Sequence, residues 1–406
     1  MATYHTIVLG LGAIGSATAY HLAKLGHHML GLDQFAPPHA YGSSHGDTRI
    51  TRLAIGEGTD LTPLALRSHG LWRVLEQETG ARLLTVCGGL VISTRAQKFI
   101  SRGVTGFFAN TVAAARQHGI AHELLDATAI RRRFPQFAVR DDEEGYFEPD
   151  AGFLAVEDCV RAHLARAREL GADIRGDEKV LAFETSSQAV TVRTDKDTYR
   201  SDRLLIVAGA WLPRLIGPPV ANLFRVTRQV MHWFEIRVPA ETFAPGTCPV
   251  FIWELAGRPH GIYGIPAIDA AGGVKVATEL AHVVDPDNVD RAVTPEEART
   301  VYADYVAPHL PGLGPRAVKS AVCLYTEAPG GRFVIDTLPD HPRVMFASAC
   351  SGHGFKHSAA LGEALAQRLI RGDSTIDLGP FRIAALQQQA EKMTPQQRAS
   401  YQAITG

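Results

Sequence analysis

The stretch IVLGLGAIG, beginning at Ile7, constrains the fold of this chain more than any other. The β-branched and apolar run from His5 to Leu9 predicts a buried strand, and AIGSATAYHLAKLG from Ala13 carries apolar residues at helical spacing. HMLGLD then predicts a second strand over Met29–Asp33. Strand, glycine turn, helix and parallel strand make a βαβ unit with a right-handed crossover.

Gly10, Gly12 and Gly15 form GLGAIG between strand and helix, and Asp33 follows 18 residues after the last glycine. Glycines there let the backbone approach a pyrophosphate, the helix N-terminus stabilises its charge, and the acid accepts hydrogen bonds from ribose hydroxyls. The plain alternative is a glycine turn with no ligand. A carboxylate at Asp33 repels a 2′-phosphate, which disfavours NADP. NAD and FAD share this half of the molecule, so the fingerprint leaves that choice open.

A chain of 406 residues exceeds what one hydrophobic core serves, so two domains are expected. With 46% hydrophobic and 20% charged residues it is neither disordered nor fibrous. Its 41 basic and 42 acidic residues give a net charge of −1, so no global field draws it to nucleic acid or an anionic membrane. The five cysteines (Cys87, Cys159, Cys248, Cys323, Cys350) are scattered without CxxC spacing. That pattern disfavours a disulfide framework and a metal site and suits a reducing cytoplasm. Neither a secretion signal nor a membrane-spanning run is expected.

LLIVAGA from Leu204 and VMFASAC from Val344 read as further buried strands of the first sheet. Segments 1–85, 145–215 and 320–385 are therefore assigned to a discontinuous nucleotide-binding domain. Segments 86–144 and 216–319, richer in alternating pattern, are assigned to an inserted domain, with a tail over 386–406. GSSHGDTRITR, Gly42 to Arg52, carries two arginines three apart. On one helical face they would point together, toward a flavin or a substrate carboxylate. Spacing alone favours a solvated surface pair.

GSSHGDTRITRLAIGEG, AVCLYTEAPGGRFVID from Ala321 and SGHGFKHS from Ser351 resemble the monomeric sarcosine oxidase and N-methyltryptophan oxidase family of flavoproteins. FEPDAGF from Phe147 and VAGAW from Val207 extend the likeness over nearly the whole chain. The resemblance implies an α/β fold: a Rossmann-like FAD-binding domain of the glutathione-reductase or p-hydroxybenzoate-hydroxylase type, with an inserted α+β substrate domain on a mixed antiparallel sheet. It implies FAD, covalently held through Cys323, although the residue by itself reads as a buried inert thiol. It places Arg49 and Lys356 by the flavin, and Arg52 and Lys356 against a substrate carboxylate. Lys275 is implied to promote reaction with oxygen, and Tyr263 and Tyr325 to shape the cavity, where buried tyrosines also serve packing alone. The FAD contacts it implies, besides the three glycines and Asp33, are Ala13, Ile14, Gln34, Ser43, Ser44, Thr48, Val180, Ala208, Gly209, Trp211, Gly352, Gly354 and Phe355.

Glu279 departs from the sarcosine oxidase pattern, which has a histidine four residues after the lysine. Fructosyl amino acid oxidases resemble this chain in carrying glutamate there. The expected activity is oxidation of a secondary, N-methylated amino acid by a soluble, monomeric enzyme, with small amine and O2 as its partners and without nucleic acid or membrane. Hydride passes to flavin, water hydrolyses the imine, and oxygen yields peroxide. A larger fructosyl or cyclic amine, an NAD-linked dehydrogenase and a non-catalytic nucleotide-binding protein are the alternatives.

Overall fold

The computed structural model describes residues 2–95, 100–101, 104–258 and 260–391. Residues 386–391 belong to a helix, Ile383–Glu391, and the remainder of the expected tail, 392–406, lies outside the described residues.

The expected βαβ unit forms as strand β1 (Thr3–Leu9), helix α1 (Ala13–Lys24) and strand β2 (Met29–Leu32). β1 pairs in parallel with β2 on one side and with Thr198–Ile206 on the other. Asp173–Arg175 extends the sheet beyond β2, and Val344–Ser348 extends it beyond Thr198–Ile206, again in parallel. The segments from Leu204 and Val344 thus join one sheet with the N-terminus, and their apolar residues are buried on both faces, as helix-covered parallel strands require. On one side α1 packs against the helices Val156–Glu169 and Ser358–Arg371, closing one core. Antiparallel strands Val180–Thr185 and Val190–Thr194 cap the sheet's other flank.

A second, nine-stranded sheet is antiparallel except where Val250–Trp253 runs parallel to Gly89–Thr94. Its centre runs through Arg225–Ile236, Val274–Thr278, Ile262–Ile265, Val250–Trp253, Gly89–Thr94 and Glu143–Glu148 in that spatial order. Leu313–Glu327, which carries Cys323, pairs along the length of Arg225–Ile236. This is the mixed antiparallel sheet expected beside the nucleotide-binding unit. Polar contacts clasp the two sheets' connections together: Lys319 with Asp47, Arg214 with Asp285 and Asp287, and Arg291 donating to the Ala40 and Tyr41 carbonyls. Among the described residues no helix is long and apolar enough to cross a membrane.

Candidate active site

One elongated cavity of about 510 Å³ runs from the glycine turn after β1 to the inner face of the second sheet. At the first end Gly10 adopts φ +94°, and a Cβ there would stand 2.6 Å from the Val207 carbonyl oxygen. A Cβ on Gly15 would come within 1.8 Å of the Gly10 oxygen, so the turn closes onto α1 only with glycine at this place. Helix α1 starts at Gly12, which has no side chain to cap it, and carries no acid in its first turn. Asp33 Oδ2 accepts from the Leu11 amide at 2.8 Å and Oδ1 from the Phe35 amide at 3.0 Å, while Ser44 Oγ accepts from the Ala13 amide at 3.1 Å. The close backbone approach and the acid-free helix start fit an anionic pyrophosphate, and Asp33 stands where a ribose would lie.

At the other end the cavity gathers four cations, Arg49, Arg52, Lys275 and Lys356. Arg49 sits on strand β3 (Thr48–Thr51), which pairs with Gly152–Ala155. The expectation that Arg49 and Arg52 share a helical face is therefore corrected. The β-branched run Thr48, Ile50, Thr51 favours an extended chain, where residues three apart project to opposite faces. Both arginines still reach the cavity, because Arg52 lies one residue beyond the strand, where the chain turns.

Arg49 donates to the carbonyls of Thr48 and Ser43 and, through Nη2, to Cys323 Sγ at 3.3 Å. Cys323 is buried one layer behind the cavity wall that Arg49 and Ser43 form. Burial pushes its thiol up, against the pull of the Arg49 guanidinium. Lys275 is also buried, donating to the carbonyls of Gly46 at 2.8 Å and Thr48 at 2.7 Å, with its ammonium 5.1 Å from the centre of the Trp233 ring. Burial first and Arg49 second hold that ammonium well below its ordinary value. The same two influences push His45 down to about 3, so it is neutral.

Arg52 donates to the Ala54 carbonyl and pairs with Glu57, while its guanidinium lies 4.9 Å from the centre of the Phe107 ring. Its Nε has no partner among the described residues. Burial would raise the Glu57 carboxyl, but Arg52 and then Lys356 outweigh it and hold it well below the usual carboxylate range. Lys356 donates to the His353 carbonyl at 2.6 Å. Tyr263 and Tyr325 bring their hydroxyls to 3.0 Å of each other.

Strand register orders this wall. Ile252 pairs with Tyr263 and Tyr263 with Ala277, while Ile265 pairs with Lys275. Glu279 lies one residue beyond the strand Val274–Thr278 that carries Lys275, and both line the cavity, four residues apart or about 13 Å of extended chain. Glu279 shares its end of the cavity with Glu254, whose carboxyl is raised by burial and by Glu279, against the hydrogen bond from Ser93 Oγ at 2.6 Å.

Of the residues singled out in the sequence, only Gly15 and Cys323 stand behind the cavity wall. Gln34, Thr48, Val180, Ala208, Gly209, Trp211, Gly352, Gly354 and Phe355 line it with the others. Sequence reasoning passed over Glu57, Phe107, Glu254 and Cys350, which also line it. For Glu57 a signal existed: an acid between two glycines, five residues after Arg52. Glu254 and Phe107 carry no such local mark. No group of three or more metal-ligating side chains occurs among the described residues.

The family model described as FAD dependent oxidoreductase matches residues 5–368. The chain is 38% identical over 392 residues to monomeric sarcosine oxidase of Streptomyces avermitilis, covering 94% of this chain and 98% of that protein. It is 33% identical over 386 residues to N-methyl-L-tryptophan oxidase of Yersinia pestis, covering 94% and 99%. Among solved structures it is similar to NikD, described as an unusual amino acid oxidase essential for nikkomycin biosynthesis, with a TM-score of 0.80, 24% identity and coverage of 94% of this chain and 98% of that one.

Proposed function

The chain belongs to the FAD-dependent oxidoreductase family, and from that premise we propose that it oxidises a secondary, N-methylated amino acid and reduces O2 to H2O2. The observation that carries this reading is one cavity with a nucleotide-fitted glycine turn at one end and Arg49, Arg52, Lys275 and Lys356 at the other. The relatives named sarcosine oxidase and N-methyl-L-tryptophan oxidase support the substrate class. An NAD-linked dehydrogenase is a poorer account of a chain in an FAD-dependent family.

FAD supplies the redox step, accepting hydride from the carbon beside the substrate nitrogen and passing the electrons to O2. The protein's share is to bind and orient. Gly10, Gly12, Ala13, Ile14 and Asp33 would hold the nucleotide half, with Gln34, Ser43, Ser44, Val180, Ala208, Gly209, Trp211, Gly352, Gly354 and Phe355 along its length. Arg52 and Lys356 would hold the substrate carboxylate, guanidinium and ammonium being matched to it in charge and hydrogen bonding. Tyr263 and Tyr325 shape the cavity around the amine. Lys275 is a fixed amine in a dry wall, and its ammonium form is suited to stabilising negative charge that develops as oxygen is reduced.

We further assign covalent attachment of FAD to Cys323. Arg49 at 3.3 Å from Sγ is the group that would stabilise the thiolate such a bond requires. Yellow colour should stay with acid-precipitated protein and be released from Cys323→Ser. The division into a nucleotide-binding domain (1–85, 145–215, 320–385) and a substrate domain (86–144, 216–319), with the strands Glu143–Glu148 and Leu313–Glu327 going whole to the second sheet on which they pair, a monomeric state and a cytoplasmic location complete the proposal.

A second reading, a larger amine with a further polar group, draws on Glu279 and Glu254 at the far end of the wall. A panel of sarcosine, N-methyltryptophan, pipecolate, proline and fructosyl amino acids with peroxide detection tests both. Peroxide from the N-methylated amino acids supports the first; peroxide from fructosyl or cyclic amines alone supports the second. No flavin bleaching with any amine would refute an amine oxidase.

A further inference from the structure

FEPDAGF, one of the motifs that carry the family likeness, contributes a buried acid to which nothing above gives a role. Glu148, at the end of the strand Glu143–Glu148, is 1% exposed. Its Oε1 accepts from the Leu53 amide at 2.6 Å and its Oε2 from the Ala54 amide at 3.1 Å. Oε2 also accepts from the Tyr146 hydroxyl at 2.9 Å. Both oxygens act as acceptors toward three donors, the pattern of an ionised carboxylate, and these donors with Arg52 oppose the burial that pushes the carboxyl above its ordinary value.

Leu53 and Ala54 are the two residues that follow Arg52, where β3 ends and the chain turns away. The Ala54 carbonyl in turn accepts from Arg52 Nη1, and Glu57, three residues later, accepts from Nη2. Beyond them Gly56 is seated against the helix Phe107–Gln117, where a Cβ would stand 2.5 Å from the Phe107 carbonyl oxygen. The turn is thus held at two places, by Glu148 at its start and by that helix at its end. The Arg52 guanidinium is returned to the cavity by the backbone between them. Glu148 is not among the residues that line the cavity; it acts through this backbone and through the attraction between its carboxylate and the Arg52 guanidinium.

We propose that Glu148 is a positioning residue for substrate recognition: by binding the Leu53 and Ala54 amides it fixes the turn that aims Arg52 at the substrate carboxylate. The inference rests on the assignment of Arg52 made above. It explains why the acid must have two equivalent oxygens. Glutamine would set an NH2 group against the Leu53 or the Ala54 amide N–H, and aspartate is one methylene short of spanning both amides.

The test is a double-mutant cycle of Glu148→Gln and Arg52→Met in the flavin-loaded enzyme, because residues that act through one another are non-additive. KM and kcat are measured with the best N-methylated amino acid of the panel. The Kd of propionate, a carboxylate without an amine, is read from the flavin spectrum. Glu148→Gln alone should raise KM and the propionate Kd by roughly tenfold to a hundredfold, the worth of a charged hydrogen bond, with kcat, flavin content and Tm changed much less. In the Arg52→Met background the same substitution should change KM by less than about threefold. Equal losses in both backgrounds, or a fall in kcat and flavin content as large as the rise in KM, would overturn the proposal and leave Glu148 a general support of the fold. Wild-type levels of KM and Kd in Glu148→Gln would overturn it as well. If that variant does not accumulate, Tyr146→Phe, which removes one donor to Glu148, goes through the same cycle with an expected shift of about threefold and the same refuting outcomes. A wild-type enzyme that neither binds propionate nor oxidises any amino acid overturns the assignment of Arg52 itself; propionate binding by wild type without coupling in the cycle overturns only the role of Glu148.

Discussion

Replacing Arg52 with methionine separates the substrate role of this cation from its structural one. The side chain is 4% exposed and makes an ion pair with Glu57, a hydrogen bond to the Ala54 carbonyl and a stack on Phe107. Stripping one partner from a fully buried pair costs about 3–5 kcal/mol. Here Glu57 keeps 18% of its side chain exposed, and Lys356 also favours its charge. A loss of about 1–3 kcal/mol is expected. With an unfolding entropy of roughly 2.1 cal/mol/K per residue, a chain this long should lose only about 1–4 °C in Tm. Binding should suffer more: losing charge-assisted hydrogen bonds worth about 1.5–3 kcal/mol raises KM for a carboxylate substrate about 10- to 150-fold. The pair also sets a pH signature. The Glu57 carboxyl is held below its ordinary value of 4.5 in the folded chain, so its contribution is present above that value and is lost as pH falls below it. Arg52→Met should therefore flatten the acid side of the stability curve. Thermal melts from pH 7 to pH 3, with KM measured for amines that carry and lack a carboxylate, give the answer. An unchanged KM, or an equal rise for amines lacking the carboxylate, would refute the role given to Arg52; an unchanged acid limb would refute the electrostatic account of Glu57.

Lys275→Met should slow reoxidation of reduced flavin by tenfold or more while leaving reduction by substrate much less affected, and stopped-flow traces with equal effects on the two half-reactions would remove its role toward oxygen. Glu279→His should shift kcat/KM toward sarcosine and away from larger polar amines by roughly tenfold, the scale of one charged hydrogen bond; an unchanged ratio shows that this position does not select the substrate. Gly15→Ala forces a Cβ to within 1.8 Å of the Gly10 oxygen, so it should cost about 1–3 kcal/mol and lower flavin content. Unaltered flavin content and Tm would show that the turn yields.

What the sequence by itself determined is the nucleotide-binding half. Its signals are local: the spacing of Gly10, Gly12, Gly15 and Asp33, and apolar runs from Leu204 and Val344 long enough to be strands yet free of the polar alternation of an exposed sheet. Backbone sterics and burial act over a few residues, so such patterns are readable without knowing what packs where. Nearly all of the residues that the resemblance named line the cavity. Only the tertiary structure decided how those residues meet. Two arginines three apart suited a solvated surface pair better than a shared helical face aimed at a site, until pairing with Gly152–Ala155 made the segment a strand and the turn after it sent Arg52 inward. Cys323 moved behind the wall because Arg49 and Ser43 stand in front of it, a layering invisible in a linear chain. Glu57 and Glu148 became partners of the Arg52 turn, the latter across 94 and 95 residues of sequence. Hydrogen bonds between such distant groups follow from the approach of two sheets, and no local pattern of residues encodes that approach.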